Sequence, residues 1–287
     1  MYAMLMLTLC VFIHQLEGIF IKKYNSKHTK GGFIFTALVS LFSMLFFLVT
    51  DKGGFDFRAE MIPYAIVAAI CYFSASFLTY VAFGCGSYVM SNLFLSYSLI
   101  FSIGYGLFFL GDPVTPLTIP GLIIVFISIF LVRGQKKEND SGFSAKWLVC
   151  ILLSVLGNGM FGVLSKLQQV KFNNEVTNEF MILTLGISAV ILFIAGMAKE
   201  GRDLGYILKN GGLYAIGSGL SNGATNFLSL YVNTIMVLSL KAPANAGIKI
   251  VMSFILAKLL FKEKFIKRQI VGVILGTVAL ILLNIKF

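Results

Sequence analysis

Phe108-Phe109-Leu110-Gly111-Asp112, with Gly121 nine residues past the acid, and Leu259-Leu260-Phe261-Lys262-Glu263, with Gly272 nine past, read as one turn met twice. In each, an acidic residue closes an apolar run and a glycine sits early in the next. The two are 151 residues apart, and the same offset lays Tyr80 on Tyr231 and Leu131 on Leu282. Single identities mean little in so apolar a chain; what repeats is the register of runs, breaks and acid-to-glycine spacing. Each half holds five apolar runs. Five is odd, so two copies of the unit enter a membrane with opposite orientation.

That a membrane is the solvent follows from composition. The 287 residues are 58% hydrophobic and only 12% charged, with a mean hydropathy of +0.90, whereas a soluble domain carries about a quarter charged residues. A helix needs about 20 apolar residues to cross the hydrocarbon core. Ten runs qualify, at about 1–21, 32–50, 62–82, 87–110, 116–133, 147–168, 178–198, 211–232, 236–261 and 268–286. They are too long and continuous for the alternating strands of a barrel. The expectation is an all-α integral membrane protein of ten transmembrane helices in two inverted five-helix repeats. Residues 1–133 form the first repeat, 134–146 a linker loop and 147–287 the second. The run beginning at Met1 lacks a basic leader and a small-residue cleavage site, so it reads as a retained helix and not a signal peptide. Inverted halves of this kind are a transporter pattern.

The net charge of +11 does not point to nucleic acid, because the basic residues cluster between apolar runs, where they face anionic headgroups. Loops after runs one, five, seven and nine hold Lys22, Lys23, Lys27 and Lys30; Arg133, Lys136, Lys137 and Lys146; Lys199, Arg202 and Lys209; and Lys262, Lys264, Lys267 and Arg268. The opposite face holds Lys52, Arg58 and Lys171. The positive-inside rule makes the first set cytoplasmic and places both termini outside. Cys10, Cys71, Cys85 and Cys150 all fall in apolar runs without metal-ligand spacing, so they read as small hydrophobes.

The two acid-bearing turns resemble the helix 4–5 and 9–10 junctions of the drug/metabolite transporter superfamily. Its EamA-like branch usually shows a proline about twenty residues before the second acid, and Pro243 stands twenty before Glu263; in the first half Asn92 takes that place. The resemblance spans the whole chain. It implies alternating access, export and coupling to protons, with termini often in the cytoplasm, where the charge count differs. The first run is also similar to helix one of the small multidrug resistance proteins, which carry a glutamate eight residues before a lysine. Here His14 stands eight before Lys22 and Asn158 eight before Lys166, and Glu17, one turn on, is the carboxylate well inside a run.

Ionisable groups inside a span are costly, about 2.5–3.5 kcal/mol on insertion scales, and so face a polar interior. Steps of four put Lys241, Asn245 and Lys249 on one stripe of the ninth run. Lys241 is near an end and has snorkelling as its alternative. Lys249 is central: it pairs with Glu17, binds an anionic group of a substrate, or exchanges one for the other. Ser218, Asn222, Thr225, Asn226 and Ser229 make a polar stripe on run eight, either glue between helices or cavity lining, with Asn222 and Asn226 the candidates for lining. Cys10, His14 and Glu17 share a face of run one; Asn92, Ser96 and Tyr97 come from run four. Tyr80 and Tyr231 have interfacial anchoring as the plainer reading. Pro243 and Gly247 either loosen the backbone beside Lys249 or only kink it. Gly272 and Gly276 suit close helix packing.

No phosphate loop, paired carboxylates or nucleophile elbow is present, so neither an enzyme nor a cofactor is expected. The expected function is secondary active transport of a small polar metabolite, zwitterionic or anionic, such as an amino acid or organic acid. The substrate site would hold Lys249, Asn245, Glu17, His14, Asn222, Asn226, Asn92, Tyr97 and Lys241, with Glu17 or His14 as the proton carrier. The expected setting is the inner membrane, with lipid and the small substrate as partners, protons as the coupling ion, no nucleic acid, and a monomer or dimer. The alternative is a proton-coupled multidrug or cation exporter using Glu17.

Overall fold

In lipid each backbone N–H and C=O must find its partner within the segment, so long apolar runs become helices. The computed structural model describes residues 2–28, 30–51, 58–86, 88–112, 118–132 and 145–260, and beyond them 267, 268, 270–272, 274, 275 and 278. The helices are α1 (Tyr2–Lys27), α2 (Gly32–Thr50), α3 (Ile62–Cys85), α4 (Tyr88–Leu95), α5 (Leu99–Phe109), α6 (Thr118–Val132), α7 (Ala145–Lys171), α8 (Thr177–Glu200), α9 (Leu204–Ile235) and α10 (Leu238–Leu260). Six helical stretches are long and apolar enough to cross a membrane, and Leu152, Leu153, Leu156, Val190 and Ile194 stand exposed on outer faces, as lipid-facing residues do. This is an all-helical, multi-pass membrane protein.

The expected count of ten spans is not met among the described residues. One of the six stretches, Thr177–Ile235, is 59 residues long and folds at a 3-10 turn, Gly201–Asp203, into α8 and α9. The expected fourth run is interrupted by a 3-10 turn at Ser96–Ser98, which leaves the short α4 and α5. Helix α6 has only 15 residues. The linker lies outside the described residues except for 145 and 146, as do Glu263, Gly276, Leu282 and most of 268–286.

Packing pairs helices far apart in sequence: α1 lies on α9, α7 on α3, and α2 on α8. Four side-chain-to-backbone bonds recur in matched pairs. Lys22 Nζ donates to the Phe83 carbonyl and Lys166 Nζ to that of Asn233, both at 2.8 Å. The Asn25 amide donates to the Tyr80 carbonyl as the Gln169 amide does to that of Leu230, both at 3.0 Å. Cys10 Sγ donates to the Thr225 carbonyl and Ser154 Oγ to that of Ala75, both at 3.3 Å. Ser43 Oγ reaches the Gly219 carbonyl at 2.8 Å and Ser188 Oγ that of Ala69 at 3.2 Å. Exchanging α1 with α7, α2 with α8 and α3 with α9 carries each bond into its partner.

These pairs correct the single offset of 151. The donors are 144 or 145 residues apart and the acceptors 150. One residue turns a helical side chain by 100°, so matching Tyr80 to Tyr231 joins unlike positions. Tyr80 is buried among Tyr24 and Phe35, whereas Tyr231 is 42% exposed beside Tyr2.

Acids finish the helix ends. The first N–H groups of a helix lack intrahelical partners. Asp112 Oδ2 accepts the Ser239 N–H at 2.8 Å, capping α10 from the end of α5. Gly106 makes room for this, since a Cβ there would lie 2.6 Å from Asp112 Oδ2. Glu200, at the end of α8, accepts the Phe33 and Ile34 N–H groups at the start of α2, at 3.1 and 3.0 Å. The acid that closes an apolar run is therefore a cap for another helix.

Candidate functional site

The helices surround a cavity of about 250 Å³ lined by residues of α1, α2, α3, α4, α5, α7, α8, α9 and α10. Its wall carries a polar chain. Lys249 Nζ lies 3.1 Å from His14 Nε2. His14 Nδ1 lies 3.3 Å from Glu17 Oε2, with the His14 side chain 36% exposed and that of Glu17 only 13%. Glu17 Oε1 accepts the Asn222 amide at 3.0 Å. Of the alternatives read from sequence for Lys249, the direct pair with Glu17 is not formed; His14 stands between the two charges. A spacing of three, just short of the 3.6 residues of one turn, sets His14 and Glu17 side by side on α1, and α10 approaches on the far side of the ring.

Asn222 is the hub. Its Oδ1 accepts the Tyr72 hydroxyl at 2.7 Å and the Asn226 amide at 2.9 Å. The Ser43 hydroxyl, 2.9 Å away, shares its proton between that oxygen and the Gly219 carbonyl. With Oδ1 taken by these donors, the Asn222 amide aims its N–H at Glu17. Tyr72 is the counterpart of Asn222 under the helix exchange, 150 residues earlier, so this bond joins equivalent points of α3 and α9.

The remaining candidates divide. Asn245 borders the cavity and makes no side-chain hydrogen bond among the described residues. Asn92 lines it too while its amide donates to the Tyr88 carbonyl. Lys241 also reaches the cavity, but its three donors go to the Ser229 carbonyl, Ser229 Oγ and Asn233 Oδ1, at 2.8, 2.7 and 2.6 Å. An ammonium has three N–H bonds; here they clasp α10 to α9. Tyr97 is not on the cavity wall and packs edge-on against Phe94, 5.6 Å between centroids. Ser96 and Ser98, on either side of it in the 3-10 turn, do line the cavity. Helix α10 continues through Pro243 to Leu260, so the backbone break beside the cavity lies in the other half, between α4 and α5.

Sequence reasoning missed Tyr72, Ser43 and Gln15. Gln15 is buried and its amide donates to Ser253 Oγ at 3.1 Å and approaches the Lys249 carbonyl at 3.5 Å, holding α1 against α10 where Lys249 departs. A glutamine one residue from His14 in an apolar run was the available signal. Serine and tyrosine are too common in membrane helices to have stood out. Of the four free cysteines Cys10 and Cys150 are buried, whereas Cys85 is exposed.

No protein-family model matches the chain, and no curated protein does. Twenty-eight solved chains resemble it. Among them is a crystal structure of a protein that superposes with a TM-score of 0.71, covering 99% of this chain and 98% of its own, at 14% identity. At that identity the likeness concerns the fold alone, and it extends from end to end.

Proposed function

We propose that this protein is a ten-span carrier of two inverted five-helix repeats, moving a small zwitterionic or anionic metabolite out across the inner membrane by alternating access. The observation that carries the reading is the lysine, histidine and carboxylate brought together on the wall of a cavity between long apolar helices. Charged groups in a span are retained where they face a substrate or ion path. The matched bonds of α1–α3 and α7–α9 support the inverted repeat, a device that lets one half rock against the other around a fixed site. The resemblance of the acid-bearing turns to the drug/metabolite transporter superfamily agrees with both.

The cavity volume supports a small ligand, being below the roughly 300–1,000 Å³ of pockets that take drug-sized molecules. Lys249 beside the wall disfavours a lipophilic cation, so we place the multidrug exporter second. The test is thermal stabilisation of purified protein over a metabolite library, since a ligand specific to the folded state raises the melting temperature. Stabilisation by an amino acid or organic acid, abolished by Lys249→Ala, is the expected result. Stabilisation by lipophilic cations that depends on Glu17 would replace this reading by the other.

A further inference from the structure

The geometry points to a site that binds one proton, on His14, together with one carboxylate, on Lys249 and Asn245. This rests on the carrier reading and deepens it, naming the substrate group and its coupling.

A lysine ammonium has only donors, so His14 Nε2, 3.1 Å from Lys249 Nζ, must accept. The neutral ring then carries its hydrogen on Nδ1, beside Glu17 Oε2 at 3.3 Å. Glu17 is held from behind by Asn222. In this state the site contains one positive and one negative charge. A proton added to Nε2 makes both ring nitrogens donors. The contact with Glu17 strengthens, and that with Lys249 becomes donor against donor between like charges. Lys249 must leave the ring and find another acceptor.

The structure offers one direction. Asn245 stands one turn before Lys249 on the same stripe, at the cavity wall, with an amide that makes no bond among the described residues. An anion entering there meets the released ammonium and the Asn245 N–H. Charge balances only when both arrive: the proton alone leaves the site at +1, and the proton with a monoanion restores neutrality. Each therefore favours the other by the same factor, as linkage requires.

The groups facing His14 do not supply a competing account. On α1 these are Glu17 and, one turn below, Cys10; on α10 they are Lys249 and, further along, Lys241, whose three donors are already used. Helix α9 presents amides and hydroxyls, and α3 presents Tyr72, bonded to Asn222.

The experiment uses full-length protein in nanodiscs, with acetate as the probe at near-neutral pH, where acetate is itself fully ionised. Binding is followed calorimetrically and proton uptake with an indicator dye in weak buffer. The expected result is uptake approaching one proton per acetate, with acetate affinity rising about tenfold per unit fall in pH at the alkaline end of the range. His14→Gln binds acetate more weakly, without uptake and without the pH dependence, and Lys249→Met, which keeps the length of the side chain, binds none. Acetate binding without proton uptake in the unaltered protein overturns the proposal, as does the absence of acetate binding. Stabilisation by a zwitterionic metabolite, or by an anionic one without a carboxylate, alongside no acetate binding would sink this inference and leave the carrier standing; a metabolite library without any ligand would sink the carrier.

Discussion

One wall of the cavity comes from α1 and α9 and the opposite wall from α7 and α3. The two share their framework bonds and differ in chemistry. Glu17 on α1 faces Asn222 on α9; at the counterpart positions Phe161 on α7 packs on Tyr72 of α3, with ring centroids 5.3 Å apart. His14 has Asn158 as its counterpart, and Lys249 falls opposite Ser98 and Leu99, neither charged. The matched bonds run from a side chain to a backbone carbonyl, and every residue has a carbonyl, so either half can keep them while its other side chains change. The polar chain joins side chain to side chain and needs specific partners. A duplicated scaffold can therefore hold a single site.

The comparison would be broken most forcefully at its charged end. Lys249→Ala should lower transport into reconstituted vesicles at least tenfold, about 1.4 kcal/mol in transition-state or binding terms, whereas Ser98→Ala should leave it unchanged. Equal losses would put the site on both walls. Next, Asn222→Leu should cost about 1–3 kcal/mol of stability, because it takes the amide partner from Glu17 Oε1 and from the Tyr72 hydroxyl at once. Tyr72→Phe removes one donor from the same hub and should cost less, about 1 kcal/mol; thermal denaturation of both variants ranks them.

Lys22→Met and Lys166→Met test the framework itself. Interhelical hydrogen bonds in membranes are worth about 0.6 kcal/mol on average and up to about 1.7, so both variants should melt slightly lower, Lys22→Met by more because its ammonium also donates to the Gly86 carbonyl at 2.7 Å. A loss at one end alone would mean the two clasps bear unequal strain. The smallest effect belongs at the membrane surface. Asp203 accepts from Lys30 at 2.9 Å, and this hydrogen bond holds the Lys30 ammonium above the usual lysine range. A raised value means that the contribution is complete below the ordinary lysine range and fades as pH climbs through the raised one. The contribution is therefore in force at neutral pH but small, the pair being exposed to solvent and salt, and Asp203→Asn should lower the melting temperature only slightly there.

Much of the fold was legible because it is local. An apolar run without charge can only be a helix in lipid, and the six long stretches lie where the runs predict them. The turn at Asp112 was readable as punctuation, though what Asp112 does, capping α10 from 127 residues away, was not. At the candidate site, Glu17, His14, Lys249 and Asn222 stood out as polar groups in apolar surroundings. Tyr72 and Ser43 did not, since hydroxyls are ordinary within membrane helices. The Tyr80–Tyr231 match misled, because a constant offset across loops of different length slips by a residue and so by 100° of helix.

By itself the sequence determined that this chain spans a membrane in helices, and which residues would be costly to leave facing lipid. Periodicity and hydropathy act over a turn or a span, and these are questions of that range. Only the tertiary structure decided that His14 comes between Lys249 and Glu17, that Asn222 turns its amide to the carboxylate, and that the broken helix lies opposite the proline. Those contacts join residues 205 and 235 positions apart. Their geometry depends on how α1, α9 and α10 pack, and side-chain spacing along one helix carries no record of the rotation of another.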